Sequence, residues 1–371
     1  MTDDERAPTA ERAADDEYTT DPPEANPVAA GEWTGRLFDR RDSPGRYDGE
    51  TGTAFDRWQA DARERLRTTL GFEVIERDGP VDLDPRLVAT ADADGHERQT
   101  WTIATEPGFR VPFYLLVPDD GEPPYPTVLA LHGHTTAGKD LAAGLVTGDE
   151  REQTIGVEER DMARQAVDRG YAALAPDMRG FGDLTPPEDP RAGGTCRTLQ
   201  VHAQLFGRTL AGDRTWDALQ VAEFARGRQE LDADPLAVTG HSGGAAVALF
   251  AAALDTGLSP AVVSSYFCAF EDSIAAIDHC DCNYVPGLCE LGEAWDLAGL
   301  LAPRPVRFLA GRDDEIFPLA GVRRAFEHLE PIYAAAGAPD ACDLVVGDGG
   351  HRYFGDAAWS FFEEFREEFR A

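Results

Sequence analysis

Residues 236–250 read LAVTGHSGGAAVALF, and the character of the chain changes in the middle of the run. Before Gly240 it is a short, continuous apolar stretch of the kind that forms a buried strand. After Gly244 it is a series of small and apolar residues long enough for a helix. The turn between them fits the pattern G-x-S-x-G, with glycine on both sides of Ser242. A strand that reverses sharply into a helix needs those glycines, because the backbone is strained there and the helix must lie close on the sheet. The turn also places Ser242 at a helix N-terminus, where the dipole favours developing negative charge. Ser242 is therefore a candidate nucleophile.

The same texture extends outward in both directions. Continuous apolar runs occur at TVLALH (127–132), YAALAP (171–176), AVVSSYF (261–267), PVRFLA (305–310) and CDLVV (342–346). The spacing leaves room for helices at about 158–169, 213–229, 243–256 and 318–335, with a closing helix at about 356–370. Strands that are apolar throughout, rather than alternating, belong to a parallel sheet covered on both faces. Residues 99–117 instead alternate around Pro107 and Gly108, QTWTIATE followed by FRVPFYLLVP, which predicts an antiparallel hairpin. The fold class is α/β, a mostly parallel sheet with helices on both faces and an antiparallel start.

Residues 1–30 carry almost no large apolar side chains and cannot offset the entropy of ordering, so they read as a disordered acidic tail. Residues 31–371 read as a single domain. Phe55, Trp58, Ala62, Leu66 and Leu70 have helical spacing and stop at Gly71, predicting an N-terminal amphipathic helix packed on the body. Two insertions, 181–211 and 270–296, follow strands and are expected as lids or pocket walls.

A serine hydroxyl needs a base to take its proton, and the base needs a carboxylate to hold its tautomer. The run PVRFLA leads into Gly311-Arg312-Asp313-Asp314, and CDLVV leads into Gly347-Asp348-Gly349-Gly350-His351. His351 is the candidate base, with Asp314, Asp313 or Asp348 behind it. Among the other histidines, His96 and His328 are expected at the surface, His202 in an insertion and His241 locked in the serine turn. The tetrahedral intermediate of acyl transfer requires two backbone donors. Gly243 N–H is one, and in His132-Gly133-His134-Thr135 the His134 N–H is preferred to that of Thr135 as the second.

Taken together, these residues resemble the α/β-hydrolase superfamily, within it the branch of dienelactone hydrolases and acetyl xylan esterase-like enzymes. The likeness spans about residues 50–371 and rests on His132-Gly133, the run 175–180 (APDMRG), the serine turn, Gly311 to Pro318 and Gly350-His351. The chain order Ser, Asp, His is the superfamily's own. Its G-x-x-D-x-x-F-P spacing selects Asp314 as the acid. Phe55, Trp58 and the segment His279 to Gly287 also resemble the acetyl xylan esterase-like branch. Dienelactone hydrolases proper use cysteine where this chain has Ser242. The resemblance implies hydrolysis of a small carboxylic ester through an acyl-enzyme. A prolyl-oligopeptidase-type serine peptidase would use the same three residues but generally carries a large gating domain, where this chain offers a short helical segment. A hydrolase fold kept only for binding is the third alternative.

The net charge of -34 is spread over the chain, since the first fifty residues contribute 14 acidic against 6 basic side chains, and Lys139 is the single lysine. Such a balance suits a halophilic protein, because in molar salt the Debye length is about 3 Å and self-repulsion is screened. Melting is accordingly expected at a higher temperature in molar than in dilute KCl; greater stability in dilute buffer would refute the halophilic reading. No Lys/Arg cluster is present to neutralise phosphates, so neither nucleic acid nor an anionic membrane is expected as a partner. The acidic start lacks a signal pattern and no apolar run reaches about 20 residues, so a cytoplasmic location is expected. His279, Cys280, Cys282 and Cys289 offer four soft ligands in eleven positions but match no common zinc spacing. They read as a reduced, packed loop, and no metal or cofactor is expected.

Overall fold

The computed structural model describes residues 33, 35–38, 43–186 and 195–366. The expected tail over 1–30 lies outside them, as does part of the 181–211 insertion. Met1–Arg41 forms a unit separate from Asp42–Ala371, with helical backbone at 35–38, and all that follows concerns the second unit.

Among the described residues nine strands form one sheet: β1 (Arg86–Ala93), β2 (His96–Glu106), β3 (Phe109–Pro118), β4 (Tyr125–Leu131), β5 (Ala172–Pro176), β6 (Leu231–His241), β7 (Leu258–Ser264), β8 (Val306–Gly311) and β9 (Cys342–Gly347). Their order is β1-β2-β3-β5-β4-β6-β7-β8-β9. The hairpin at the start is present, with Trp101 opposite Phe113, and β3 meets β5 antiparallel with Leu115 opposite Leu174. From β5 onward every pairing is parallel. The chain leaves β4 toward β5 on one side and leaves β6 toward β7 on the other. Loops at the carboxyl ends of these two neighbours therefore diverge, and the crevice between them is where an open α/β sheet binds its ligands.

The helices that flank the sheet are α1 (Thr53–Leu70), α2 (Met162–Val167), α3 (Thr195–Leu205), α4 (Leu210–Arg226), α5 (Gly243–Leu254), α6 (Leu319–Ala335) and α7 (Gly355–Arg366). On one face Val128, Ala130 and Ala173 pack with Met162 and Ala166 of α2 and with Trp359 and Phe362 of α7. On the other side α5 is buried from Gly243 to Ala253, which explains why its sequence is apolar all round rather than amphipathic. In α1, Phe55, Trp58, Ala62, Leu66 and Leu70 are the buried stripe, and Gly71 caps it in the left-handed conformation at φ +87°.

Two elements were not foreseen, and one expectation is corrected. Strand β1 was not foreseen, because its apolar Leu87 and Val88 stand exposed on an edge strand. The segment 181–211 contains helix α3, which its prolines and glycines obscured. His96 is buried rather than superficial, because it closes the β1–β2 turn with Nδ1 3.1 Å from the Asp94 carbonyl and against Arg164. His328 is exposed, stacked on Trp295.

Candidate active site

The turn after β6 is built by its glycines. A β-carbon at Gly240 would lie 2.3 Å from the Gly244 carbonyl oxygen, and one at Gly244 would lie 2.0 Å from that of Leu131. Only hydrogen at both positions lets α5 start this close to β4. Ser242 itself holds φ +55° and ψ -121°, a region that costs a non-glycine residue about 1–3 kcal/mol. Its N–H donates to the Ser264 carbonyl at 2.9 Å, which anchors the turn to β7.

Asp314 follows β8 and is buried, its side chain 1% exposed. Oδ1 accepts from the N–H groups of Ile316 and Phe317 at 2.9 and 3.0 Å, and Oδ2 lies 2.9 Å from His351 Nδ1. The carboxylate is thus fixed on one oxygen and presents the other to the imidazole, which holds the proton on Nδ1 and leaves Nε2 as acceptor. The other two carboxylates considered stand in the open: Asp313 is exposed, and Asp348 pairs with Arg312 at the surface. The His351 ring lies between Phe317, stacked at 5.8 Å, and His241 at 4.8 Å.

Ser242 and His351 line the same cavity of about 260 Å³, together with His134, Arg160, Ile277 and Ile316. No hydrogen bond joins the serine hydroxyl to the imidazole here; such contacts commonly close only when substrate is bound. Burial lowers the basicity of three other imidazoles nearby. His132 is pushed down to about 3 and His279 to about 4 by desolvation, and His241 is pushed well below the usual histidine range by desolvation and then by His351. His132 accepts from Met178 N–H through Nε2 and faces the Gly133 carbonyl through Nδ1, a structural role.

His134 lies over the start of α5: a β-carbon on Gly243 would come within 2.7 Å of its ring. Neither the Gly243 nor the His134 N–H has a protein acceptor among the described residues, and Thr135 does not border the cavity. Two supports of this loop escaped the sequence reading. Arg160 donates to the His134 carbonyl at 2.7 Å and pairs with Glu158 at 3.0 Å. Lys139 is not a surface lysine at all but 3% exposed, and its Nζ reaches Asp177 at 2.8 Å and Asp183 at 2.6 Å. Asp177 also accepts from the N–H of Lys139 and of Asp183. The loop after β4 is thereby tied to the loop after β5. Lys139→Met should destabilise the fold by about 3–5 kcal/mol in a denaturant titration, because it strands a fully buried carboxylate; a loss below about 1 kcal/mol would show that Asp177 does not depend on the ammonium.

Of the His/Cys group at 279–289, only Cys280 and Cys282 converge. The His279 Nδ1 is taken by the Cys280 N–H at 3.0 Å and faces Asn283 Nδ2 at 2.9 Å, and Cys289 belongs to the segment whose carbonyl accepts from Ser43. The positions beside Cys280 and Cys282 are occupied instead by His134 and Cys196.

The strand order, the glycine-flanked serine turn after β6 and the loops at one sheet edge define an α/β-hydrolase. The chain belongs to the Abhydrolase family, whose family model matches residues 47–345. It is 27% identical over 266 residues to "Putative hydrolase YtaP" of Bacillus subtilis (strain 168), a match covering 70% of this chain and 80% of that protein. Among solved structures it is similar to a "putative acetyl xylan esterase" from Bacteroides fragilis, with TM-score 0.72 and 18% identity over 89% of this chain and 84% of that one. It is also similar to a glucuronoyl esterase from Solibacter usitatus, with TM-score 0.63 and 13% identity over 87% and 95% of the two chains. These two likenesses speak for a shared fold. Among the described residues no helix is long and apolar enough to cross a membrane.

Proposed function

We propose that the protein is a serine esterase that cleaves acetyl or other small acyl esters through an acyl-enzyme. The observation that carries this reading is the 2.9 Å contact between His351 Nδ1 and a buried, doubly anchored Asp314, with Ser242 opening onto the same cavity as that imidazole. In the proposed reaction His351 Nε2 takes the proton from Ser242 Oγ as the oxygen attacks the ester carbonyl. The N–H groups of Gly243 and His134 receive the oxyanion. Protonated His351 then gives its proton to the departing alcohol, and a water activated by the same imidazole releases the acid.

A cavity of about 260 Å³ suits a short acyl group, since sites for larger ligands usually run to about 300–1,000 Å³. The esterase fold neighbours support the choice of ester over amide. We place the reaction in a halophile, on the composition already given. The test is turnover of p-nitrophenyl acetate and butyrate beside aminoacyl and prolyl nitroanilides, in high salt. Ester cleavage is expected to exceed amide cleavage, with acetate preferred. Preferential cleavage of the anilides would move the assignment to a peptidase.

A further inference from the structure

The loops around the site carry a second constellation. One ring nitrogen of His134 and the Sγ atoms of Cys196, Cys280 and Cys282 all lie within 4.8 Å of one another. Cys282 Sγ is 3.2 Å from His134 Nε2 and 3.3 Å from Cys280 Sγ. The four come from three separate places: the loop after β4, the first turn of α3 and the 280–282 turn. We propose that they bind one zinc ion in a closed, structural site.

The two short separations approach those of a tetrahedral site. With Zn–S about 2.3 Å and Zn–N about 2.0–2.1 Å, neighbouring donors stand about 3.5–3.8 Å apart, a few tenths from the closest separations here. Three thiols and an imidazole are the donor set that selects zinc over harder cations. A disulfide serves the group less well, because it would engage two of the three sulfurs and leave the imidazole facing them without purpose; all six cysteines are free.

The surrounding charge points the same way. Arg214, 3% exposed, donates to Cys196 Sγ at 3.2 Å and otherwise to the Arg179 carbonyl at 2.9 and 2.7 Å. Among the described residues it forms no ion pair with a carboxylate. A buried guanidinium needs an anion beside it. A zinc ion with three thiolates and one neutral imidazole carries a single negative charge, which that guanidinium balances. Four protein donors leave no position for water, so the ion holds structure rather than activating a nucleophile. What it holds is the 195–205 and 280–282 segments against the His134 loop.

The test is elemental analysis of the full-length protein purified without chelator. About one zinc per chain is expected, and Cys196→Ser or Cys282→Ser should each lower this at least about tenfold. Cys342→Ser, remote from the group, and Ser242→Ala should leave the zinc content unchanged, so the result does not depend on the hydrolase reading. Replacement with cobalt should give the intense visible bands and the sulfur-to-metal charge transfer of a tetrahedral thiolate site. That spectrum decides the matter in the wild-type chain even where a cysteine variant fails to fold. Wild-type protein that takes up neither zinc nor cobalt under reducing conditions overturns the proposal, as does a disulfide between any two of Cys196, Cys280 and Cys282 in freshly isolated protein.

Discussion

Ser242→Ala is expected to lower p-nitrophenyl acetate turnover by about three orders of magnitude or more while shifting the melting temperature by no more than about 2–4 °C. The substitution removes one atom, the hydroxyl oxygen that is proposed to attack the carbonyl. The backbone at 242 sits at φ +55° in either variant, and alanine meets the same steric cost there as serine. The anchoring bond from the residue 242 N–H to the Ser264 carbonyl survives, as does the start of α5. What remains in the mutant is the pair of backbone donors proposed for the oxyanion and the cavity, which alone can still accelerate hydrolysis over water by about 10³–10⁴-fold. Turnover that persists within about tenfold of wild type would remove Ser242 from the mechanism.

The sheet was readable because a parallel strand covered on both faces must be apolar at every position, and TVLALH and AVVSSYF show that directly. The serine turn was readable for a different reason: the close approach of α5 to β4 excludes side chains at Gly240 and Gly244, so the requirement is written in the residues themselves. Features that depend on chain-distant neighbours were not. Lys139 looks like a surface lysine until Asp177 and Asp183 surround it. Cys196 gains meaning only when α3 brings it to Cys280 and Cys282. Nearness along the chain does not bring His279 and Cys289 to that group, because a tight turn can point adjacent side chains apart. Strand β1 was invisible for lack of burial, since an edge strand exposing Leu87 and Val88 shows no core-facing pattern. Asp314 lies between these cases. Its loop was placed by the strand before it and the G-x-x-D-x-x-F-P resemblance favoured it, but the physical ground for its advantage over Asp313 and Asp348 is burial, which the fold supplies.

That advantage can be tested by a second substitution, at the carboxylate itself. Asp314→Asn should lower the turnover number for p-nitrophenyl acetate by about 10⁴-fold, the loss typical when a carboxylate behind a catalytic histidine is replaced by an amide. The argument turns on which proton the imidazole keeps. The amide oxygen of the variant side chain can still accept from the N–H groups of Ile316 and Phe317, so the loop has no reason to move. The second carboxylate oxygen, now an NH₂, becomes a donor aimed at His351 Nδ1. To accept it, the imidazole must shift its proton to Nε2, the nitrogen that should receive the serine proton. The base is then blocked although every heavy atom keeps its place. Asp313→Asn and Asp348→Asn supply the comparison: both residues are exposed and neither contacts His351, so each should keep activity within about threefold of wild type. A large loss from either of them, with Asp314→Asn near wild type, would assign the imidazole a different partner.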